Sequence, residues 1–523
     1  IAFFDVDGTL VDMEKKVITP AMIETLKHLK ENGIILCMAT GRGPYLVPSF
    51  PGIDFDVFVI GAGPGGYECA IRAAQLGFKT AAADPWKDAD GKAAPGGTCT
   101  NVGCIPSKAM LASSLAYESA GETFRELGIN VGPASFDLDV IQARRAKVVR
   151  KSNDGILWLF KKNGVEFFPE SAHFLPGGKP GAWKIGLSDG TEITVANVVV
   201  AAGSVPRLLP GVTPDEKTIL TSTGGLEQTS VPKRLGIIGA GVIGLEIGAV
   251  WQRLGAEVTM LEALPGFLGI ADEEISRAAL QVYKKTGFTF HFGCRVESVE
   301  KRADGVVVRY RTGDEEKEAV FDRLMVSIGR VPALQSVNPE AVGLKADARG
   351  FVEVDEGCRT NLPGVYAIGD LVRGPMLAHK ASDEGVAVAE EIAGEHPVIN
   401  HRLVPSVIYT HPEIAWVGLT EAEARNEGYT AKAGKAFFSA NGRARAQGQT
   451  DGFVKIVADA ENDRVLGIHI LGSEAGELIA AASFILATEA TCEDVALTTI
   501  AHPTFAEAIR EAALTVLGRP MNS

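Results

Sequence analysis

Residues 55–84 read FDVFVIGAGPGGYECAIRAAQLGFKTAAAD, and this stretch decides the fold that the sequence predicts. An apolar segment runs into Gly61, Gly63 and Gly66, a helix-like segment follows, and a second apolar segment ends at Asp84. In a βαβ unit such glycines permit a tight turn and let a pyrophosphate approach the helix N-terminus, while the acid binds a ribose hydroxyl. Because strand, glycines, helix and acid occur together, the stretch predicts a dinucleotide site and not an ordinary glycine turn.

The same pattern returns in residues 234–262, which read RLGIIGAGVIGLEIGAVWQRLGAEVTMLE. Its glycines are Gly239, Gly241 and Gly244, and its acid is Glu262. A carboxylate there accepts hydrogen bonds from a free ribose diol and repels a 2′-phosphate, so this second site is expected to prefer NAD to NADP. The alternative is that Glu262 is a solvated strand end.

Length and charge limit the class of protein. With 523 residues the chain is expected to form several domains. Its net charge of -14 argues against nucleic acid or an anionic membrane as a partner. The sequence shows neither an apolar segment of the roughly 20 residues that span a bilayer nor a secretory signal, so a soluble protein is expected. Its seven cysteines are mostly scattered, which favours a reducing compartment.

One cysteine pair stands apart in residues 96–108, GGTCTNVGCIPSK. Five positions on a regular helix give a rise of about 7.5 Å, so Cys99 and Cys104 require a distorted backbone to form a disulfide. Three glycines permit this distortion, and Pro106 suits the first turn of a following helix whose N-terminus would stabilise a thiolate at Cys104. A redox-active pair is favoured. An inert pair is one alternative and a zinc site another, although no second CxxC or nearby histidine completes four ligands.

Three motifs closely resemble those of the flavoprotein disulfide reductases and, within them, the dihydrolipoamide dehydrogenases. They are GGTCTNVGCIPSK, GVYAIGDLVRGPMLAHKASDEG and AHPTFAEA, and they occur in that family's order over roughly residues 54–520. The resemblance implies an α/β fold with two Rossmann-like domains, one for FAD and one for NAD, and a C-terminal α+β dimerisation domain. The implied boundaries are 55–202 for the FAD domain, 203–330 for the NAD domain, 331–400 for a return to the FAD domain and 401–523 for dimerisation.

The resemblance also implies roles for the redox residues. Cys99 would exchange with substrate and Cys104 would contact the flavin. Lys108 and Glu246 would form an ion pair beside the flavin ring, where a fixed positive charge favours the reduced, anionic ring.

Further implied residues lie in the second half of the chain. Asp370 would lie by the ribityl and pyrophosphate portion of FAD, and the resemblance marks further cofactor contacts at Gly203, Ala378 and Gly329. His502 would be the base, oriented by Glu507 and acting on the disulfide of the other subunit, so a homodimer would be part of the mechanism. Taken by residue type alone, His502 is equally well a loop histidine.

The implied reaction is oxidation of dihydrolipoamide by NAD through the disulfide and FAD. The implied partners are lipoyl domains of a 2-oxoacid dehydrogenase or glycine-cleavage complex, in the bacterial cytoplasm or, for a eukaryotic chain, the mitochondrial matrix. Ile500 departs from the HAHPT pattern of many such enzymes and matches the glutathione reductase arrangement. The alternative is therefore another FAD disulfide reductase, of the glutathione or mercuric reductase type.

The first residues carry a different motif. IAFFDVDGTLVD with a later ATGR resembles the haloacid dehalogenase phosphatases, where Asp5 would be the nucleophile, Asp7 the acid/base and Thr40 a phosphate ligand. The lysine and later acid pair that complete a magnesium site in that family are not found before the FAD strand begins. Residues 1–46 are therefore expected to be an incomplete fragment, with 47–54 as a linker and no metal site.

Two further functions remain as alternatives to the oxidoreductase. One is an active magnesium-dependent phosphohydrolase with a flavoprotein attached. The other is a folded FAD protein without turnover, because the N-terminal fragment blocks dimerisation.

Overall fold

The computed structural model describes residues 2–5, 11–12, 17–18, 20–31, 36–39 and 52–522. Two compact units account for the chain. The first comprises the residues up to Asn101 together with Arg150–Val205 and Val331–Ile399. The second comprises Val102–Val149, Pro206–Arg330 and the chain from Asn400 onward.

The first unit is built on a mainly parallel sheet. Its central strand, Phe55–Ile60, pairs in parallel with Thr80–Ala83 on one side and with Glu192–Val200 on the other. Val57 and Val59 face one core cluster and Phe58 faces another, so the strand is buried on both faces, as a parallel sheet requires. The outer strands are Glu166–Phe168, Val365–Ala367, Trp183–Leu187 and Ala172–Phe174. Trp183–Leu187 pairs in antiparallel fashion with Glu192–Val200, and Ala172–Phe174 does so with Trp183–Leu187.

Helices cover this sheet. The first fingerprint helix is Pro64–Gln75, and the helix Ala378–Ile392 packs against it. The long helix Leu138–Asn163 begins in the second unit and ends in the first.

The second unit contains a five-stranded parallel sheet around the second fingerprint. The strands, in spatial order, are Ile219–Leu220, Arg323–Val326, Arg234–Ile238, Glu257–Leu261 and Thr289–His291. The fingerprint helix Val242–Arg253 and the helix Glu273–Lys285 follow the two central strands in sequence. An antiparallel sheet is formed by Cys294–Arg302, Gly305–Thr312 and Glu315–Phe321.

The C-terminal part of the second unit is an antiparallel sheet with helices. The five strands, in spatial order, are Ser406–Ile408, Glu413–Gly418, Val465–Gly472, Phe453–Asp459 and Ala431–Phe437. Its helices are Glu421–Asn426, Gly442–Gln447, Ala475–Ala487, Cys492–Leu497 and Glu507–Val516.

Further helices, short strands and 3₁₀ turns complete the described elements. The helices are Gly97–Val102, Cys104–Ser119, Glu122–Glu126 and Ser222–Leu226. The short strands are Ser204–Pro206 and Arg330–Pro332, and the 3₁₀ turns are Leu334–Val337, Pro339–Ala341, Gly369–Leu371, His401–Leu403 and Phe438–Ala440.

The described N-terminal elements include a strand–helix–strand unit. Ala2–Asp5 pairs in parallel with Leu36–Ala39, and the helix Pro20–Glu31 lies between them in sequence. A two-residue ladder between Val11–Asp12 and Val17–Ile18 was not predicted. The expected phosphatase residues Asp7 and Thr40 lie outside the described residues, and of Asp5 only the backbone is described.

The predicted fold class is confirmed, since both fingerprints form βαβ units and the C-terminal part is α+β. The helix predicted after the cysteine pair begins at Cys104, so Pro106 lies in its first turn, as predicted. The finer domain boundaries stay a prediction. Within the described residues, no helix combines the length and the apolar character needed to cross a membrane.

A buried lysine joins two layers of the second unit. Lys455, on the strand Phe453–Asp459, is 1% exposed, and its Nζ lies 2.9 Å from Asp272, 2.8 Å from Glu274 and 3.2 Å from Glu421. Burial alone would lower the pKa of Lys455, but the hydrogen bonds with these carboxylates outweigh it and the pKa is raised. Asp272 also caps the helix Glu273–Lys285, so one ammonium ties that helix to the C-terminal sheet.

Replacing Lys455 by Met is expected to lower the free energy of unfolding by about 3–5 kcal/mol, because it leaves the buried Asp272 carboxylate without its cation. The matched control is Lys432→Met on the same sheet, where an ion pair with Asp463 has both side chains about a third exposed. That control is expected to cost at most about 1 kcal/mol. Urea unfolding of the variants measures the difference, and equal losses would contradict the argument.

Candidate active site

Two glycines of the first fingerprint turn leave no room for a side chain. A Cβ placed on Gly61 would lie 2.3 Å from the carbonyl oxygen of Ala201, and one on Gly66 would lie 2.0 Å from that of Gly61. Gly61 also has a φ of +101°, a conformation that glycine favours. Gly63 precedes the helix Pro64–Gln75 and leaves the N-terminus open, so the geometry fits a pyrophosphate.

Asp84 braces this turn. Its carboxylate accepts hydrogen bonds from the amide of Ala62 at 2.7 Å and from that of Trp86 at 3.0 Å, and the residue is 3% exposed. Burial raises the pKa of Asp84, and the two amides act in the opposite direction. The aspartate therefore holds the loop on which a dinucleotide would rest, while its predicted ribose contact stays a prediction.

The second fingerprint repeats this construction. A Cβ on Gly239 would lie 2.5 Å from the carbonyl oxygen of Ser327, and one on Gly244 would lie 2.4 Å from that of Gly239. Glu262 accepts from the amides of Ala240 at 2.8 Å and Leu264 at 2.9 Å. Each acid thus accepts hydrogen bonds from two backbone amides. One belongs to the residue after the first fingerprint glycine, and the other lies two positions after the acid.

Open space borders the second turn. A Cβ on Gly241, the residue that caps the helix Val242–Arg253, would meet no atom within 4 Å. The helix N-terminus is therefore accessible to a phosphate, and the residues present fit a second dinucleotide.

The predicted cysteines lie on consecutive helices. Cys99 belongs to the short helix Gly97–Val102, and Cys104 is the first residue of the helix Cys104–Ser119. Gly103 between them has φ −132° and ψ −113°, which interrupts the helical path as the spacing predicted. A position in the first turn places the Cys104 sulfur at the helix N-terminus, where the backbone dipoles stabilise a thiolate.

Lys108 and Glu246 are brought together within the second unit. The Lys108 Nζ lies 2.7 Å from a carboxylate oxygen of Glu246, whose side chain is 6% exposed. Two further donors hold that carboxylate, the hydroxyl of Ser107 at 3.4 Å and the amide of Tyr409 at 3.1 Å. The ion pair is thus fixed in place by a network and does not depend on one contact.

Tyr409 was missed by sequence reasoning. Its ring centroid lies 4.4 Å from the Lys108 ammonium, a cation–π contact. A cavity of about 280 Å³ adjoins this contact, and Lys108, Tyr409 and Arg253 are among its lining residues. The side chain that contacts Lys108 lies some three hundred positions away in sequence, so no local pattern could have identified it.

The remaining expected cofactor residues occupy turns and a helix start. Asp370 accepts a hydrogen bond from the Ser204 hydroxyl, and Ala378 is the first residue of the helix Ala378–Ile392. Gly203 and Gly329 have φ values of +73° and +109°, which glycine adopts without strain.

His502 and Glu507 form a dyad. The Nδ1 atom of His502 lies 2.9 Å from one carboxylate oxygen of Glu507, and the amide of Thr504 donates to the other at 2.9 Å. Burial would raise the pKa of Glu507, but these two hydrogen bonds prevail and lower it. The carboxylate thus orients an imidazole whose side chain is 75% exposed.

Comparisons with known proteins give the family. The profile described as pyridine nucleotide-disulphide oxidoreductase matches residues 55–385, and that family's dimerisation domain matches residues 404–513. The chain belongs to the pyridine nucleotide-disulphide oxidoreductase family. It is therefore an oxidoreductase that uses FAD and NAD, which confirms the two predicted cofactors, and it carries the dimerisation domain of a homodimer.

Curated relatives of this oxidoreductase cover nearly all of it. It is 49% identical to a dihydrolipoyl dehydrogenase of Cupriavidus necator over 472 residues, 90% of this chain and 99% of that protein. It is 44% identical to the human mitochondrial dihydrolipoyl dehydrogenase over 477 residues, 90% of this chain and 92% of that protein.

Solved structures share the fold. LpdA from Mycobacterium tuberculosis superposes with a TM-score of 0.80 at 26% identity, over 87% of this chain and 98% of that one. The HOCl-induced flavoprotein disulfide reductase RclA from Escherichia coli has a TM-score of 0.76 at 23% identity, over 88% of this chain and 99% of that one.

The N-terminal resemblance is also found. A profile described as haloacid dehalogenase-like hydrolase matches residues 2–63, and its last residues overlap the start of the oxidoreductase match. Among the described residues, no group of three or more His, Cys, Asp or Glu side chains is placed to hold a metal ion.

Replacing Gly66 by Ala is expected to yield protein with less than about a tenth of the bound FAD, because the added methyl group displaces the turn that faces the pyrophosphate. The control is Gly132→Ala, where a Cβ would meet no atom within 4 Å. The ratio of flavin to protein absorbance after purification measures the loss. Full flavin content in the Gly66 variant would contradict the steric argument.

Proposed function

We propose that this chain is a dihydrolipoyl dehydrogenase, which oxidises free or protein-bound dihydrolipoamide to lipoamide with NAD. The observation that carries the proposal is the His502–Glu507 dyad in a chain that also holds the Cys99 and Cys104 pair. Relatives of that name, up to 49% identical over 90% of the chain, support dihydrolipoamide over the substrates of other disulfide reductases.

The protein residues have distinct tasks in this reaction. His502 takes a proton from one substrate thiol, since the thiolate is the nucleophile in disulfide exchange. That thiolate attacks Cys99 and breaks the enzyme disulfide, and Cys104 leaves as a thiolate at the start of its helix. The second substrate thiol, once deprotonated, attacks the mixed disulfide, closes the lipoamide ring and releases Cys99.

Two further pairs support these steps. Glu507 holds the imidazole and stabilises the positive charge that it gains with the proton. Lys108, which contacts Glu246 and Tyr409, would supply a fixed positive charge beside the flavin ring. When bound, FAD would supply the acceptor for the electron pair of the reduced cysteines, and NAD would supply the final hydride acceptor.

The site requires two subunits. We propose that His502 serves the disulfide of the other subunit in the homodimer, and that lipoyl domains of a 2-oxoacid dehydrogenase or glycine-cleavage complex are the physiological partners. A bacterial cytoplasmic location agrees with the relative from Cupriavidus necator.

The phosphohydrolase alternative receives no support from described side chains, because its expected residues Asp7 and Thr40 lie outside the described residues. We propose that residues 1–46 take no part in oxidoreduction. Turnover should therefore survive removal of the chain before Phe55.

Replacing His502 by Gln is expected to lower kcat by about 10²–10⁴-fold, because the general base is lost. The assay is NADH formation from dihydrolipoamide and NAD by the purified full chain. His396→Gln, at a histidine with an 80% exposed side chain, is the control and should match wild type. A wild-type protein that holds FAD but gives no NADH would refute the substrate assignment and favour another disulfide reductase.

Replacing Glu262 by Gln is expected to raise KM for NAD by about tenfold, because a charged hydrogen-bond acceptor is lost. It is also expected to narrow the preference for NAD over NADP, because the repulsion of a 2′-phosphate disappears. Glu257→Gln, on an exposed position of the same strand, is the control. Steady-state kinetics with both nucleotides measure the ratio. An unchanged ratio would support the alternative that Glu262 is only a strand end.

A further inference from the structure

The turn that carries Asp370 has an unusual backbone. Gly369 lies two positions after the end of the strand Val365–Ala367 and has a φ of +70°. A Cβ placed on it would lie 3.2 Å from the Cβ of Ala381, so the turn also lies close to a neighbouring helix. The direction of Asp370 therefore depends on whatever holds Gly369.

A buried ion pair holds it. The Lys380 Nζ donates to the carbonyl oxygen of Gly369 at 2.9 Å, and the Gly369 amide donates to a carboxylate oxygen of Glu384 at 2.7 Å. Lys380 and Glu384 lie 3.2 Å apart, one turn from each other on the helix Ala378–Ile392, with side chains 1% and 0% exposed. Both backbone polar groups of one residue are thus bound by one charge pair, which we call the Gly369 clamp.

The helix that carries the clamp is also docked on the first fingerprint helix. A Cβ on Gly65 would lie 2.6 Å from the carbonyl oxygen of Ala381, and one on Gly385 would lie 2.2 Å from that of Gly65. The hydroxyl of Ser382 donates to Glu68 at 2.9 Å. One helix therefore sets the position of both the fingerprint turn and the Asp370 turn.

Stability alone does not account for the clamp. Removing two charges from water is costly, and buried ion pairs are often replaced by apolar side chains of similar volume without loss of stability. The clamp instead satisfies the two backbone groups of a residue in a left-handed conformation. A fixed Gly369 means a fixed Asp370, whose carboxylate is also held by Ser204.

We propose that Lys380 and Glu384 are positioning residues for FAD, which pre-form the Asp370 turn at a set distance from the first fingerprint helix before the cofactor binds. This inference rests on the proposed role of Asp370 at the FAD site. The clamp is expected to raise the affinity for FAD, while other residues carry out the chemical steps.

The variants are designed to separate cofactor binding from folding. A single substitution would leave one buried charge alone, so both are changed together, Lys380→Met with Glu384→Leu. The dissociation constant of FAD, measured by titrating the FAD-free full chain and following flavin fluorescence, is expected to rise at least about tenfold. Lys380→Met with Glu384→Gln returns an acceptor for the Gly369 amide and is expected to recover part of the affinity.

The matched control removes a different ion pair, which joins the helix that carries the clamp to the first fingerprint helix. Arg72 and Glu390 lie 2.7 Å apart and do not touch Gly369. Arg72→Met with Glu390→Gln is expected to leave the FAD dissociation constant within about twofold of wild type. A clamp variant that loses thermal stability but binds FAD like wild type would overturn the proposal.

A measurement on the wild-type chain is independent of how the variants fold. Hydrogen exchange of the Gly369 amide is compared in the FAD-free and FAD-bound protein. Exchange in the FAD-free protein within about tenfold of the bound form is expected, because the clamp holds the amide without the cofactor. Exchange as fast as that of an exposed loop would overturn the proposal.

These results are separable from the substrate assignment. Neither measurement contains dihydrolipoamide or NAD, so a protein that binds FAD through the clamp but oxidises another dithiol would refute only the proposed function. Normal dihydrolipoamide turnover with unchanged FAD affinity in the clamp variant would refute only the positioning role.

Discussion

Two carboxylates hold the turns on which both dinucleotide sites depend. Asp84 and Glu262 each follow the second strand of a βαβ unit and each accept a hydrogen bond from the amide after the first fingerprint glycine. Gly61 and Gly66 in the first turn, and Gly239 and Gly244 in the second, leave no room for a side chain, since an added Cβ would lie 2.0–2.5 Å from a backbone oxygen. The acids fix the same turns electrostatically, so the loops are formed before any nucleotide arrives.

Ion pairs between lysines and carboxylates hold other parts of the structure in place. Lys108, on the helix that begins at Cys104, is paired with Glu246, and the Lys380–Glu384 pair binds both backbone polar groups of Gly369. Lys455, shared among three carboxylates, ties the helix after the second fingerprint to the C-terminal sheet. In each case the charged groups also make hydrogen bonds whose directions specify a geometry that apolar packing would leave less defined.

The chain therefore combines a complete oxidoreductase match with a short N-terminal match to another superfamily. The described N-terminal strands pair with each other, Ala2–Asp5 with Leu36–Ala39. The oxidoreductase sheet begins at Phe55 with its own partners on both sides. Motif ancestry and catalytic competence are thus different properties, because a phosphatase site needs several side chains that its first strand alone does not supply.

The sequence by itself determined the two βαβ units, their order, the break between Cys99 and Cys104 and the identity of the fingerprint acids. These features are local, since glycine conformation, strand periodicity and helix starts depend on neighbouring residues. It also placed Pro106 in the first turn of the helix that begins at Cys104, because the fixed φ of proline suits that turn. Only the tertiary structure placed Tyr409 on Lys108, Ser204 on Asp370 and the Lys380–Glu384 pair on Gly369. Two of these contacts join residues far apart in sequence, and the third depends on how a helix packs against a turn. The burial and packing of whole layers therefore bring these residues together.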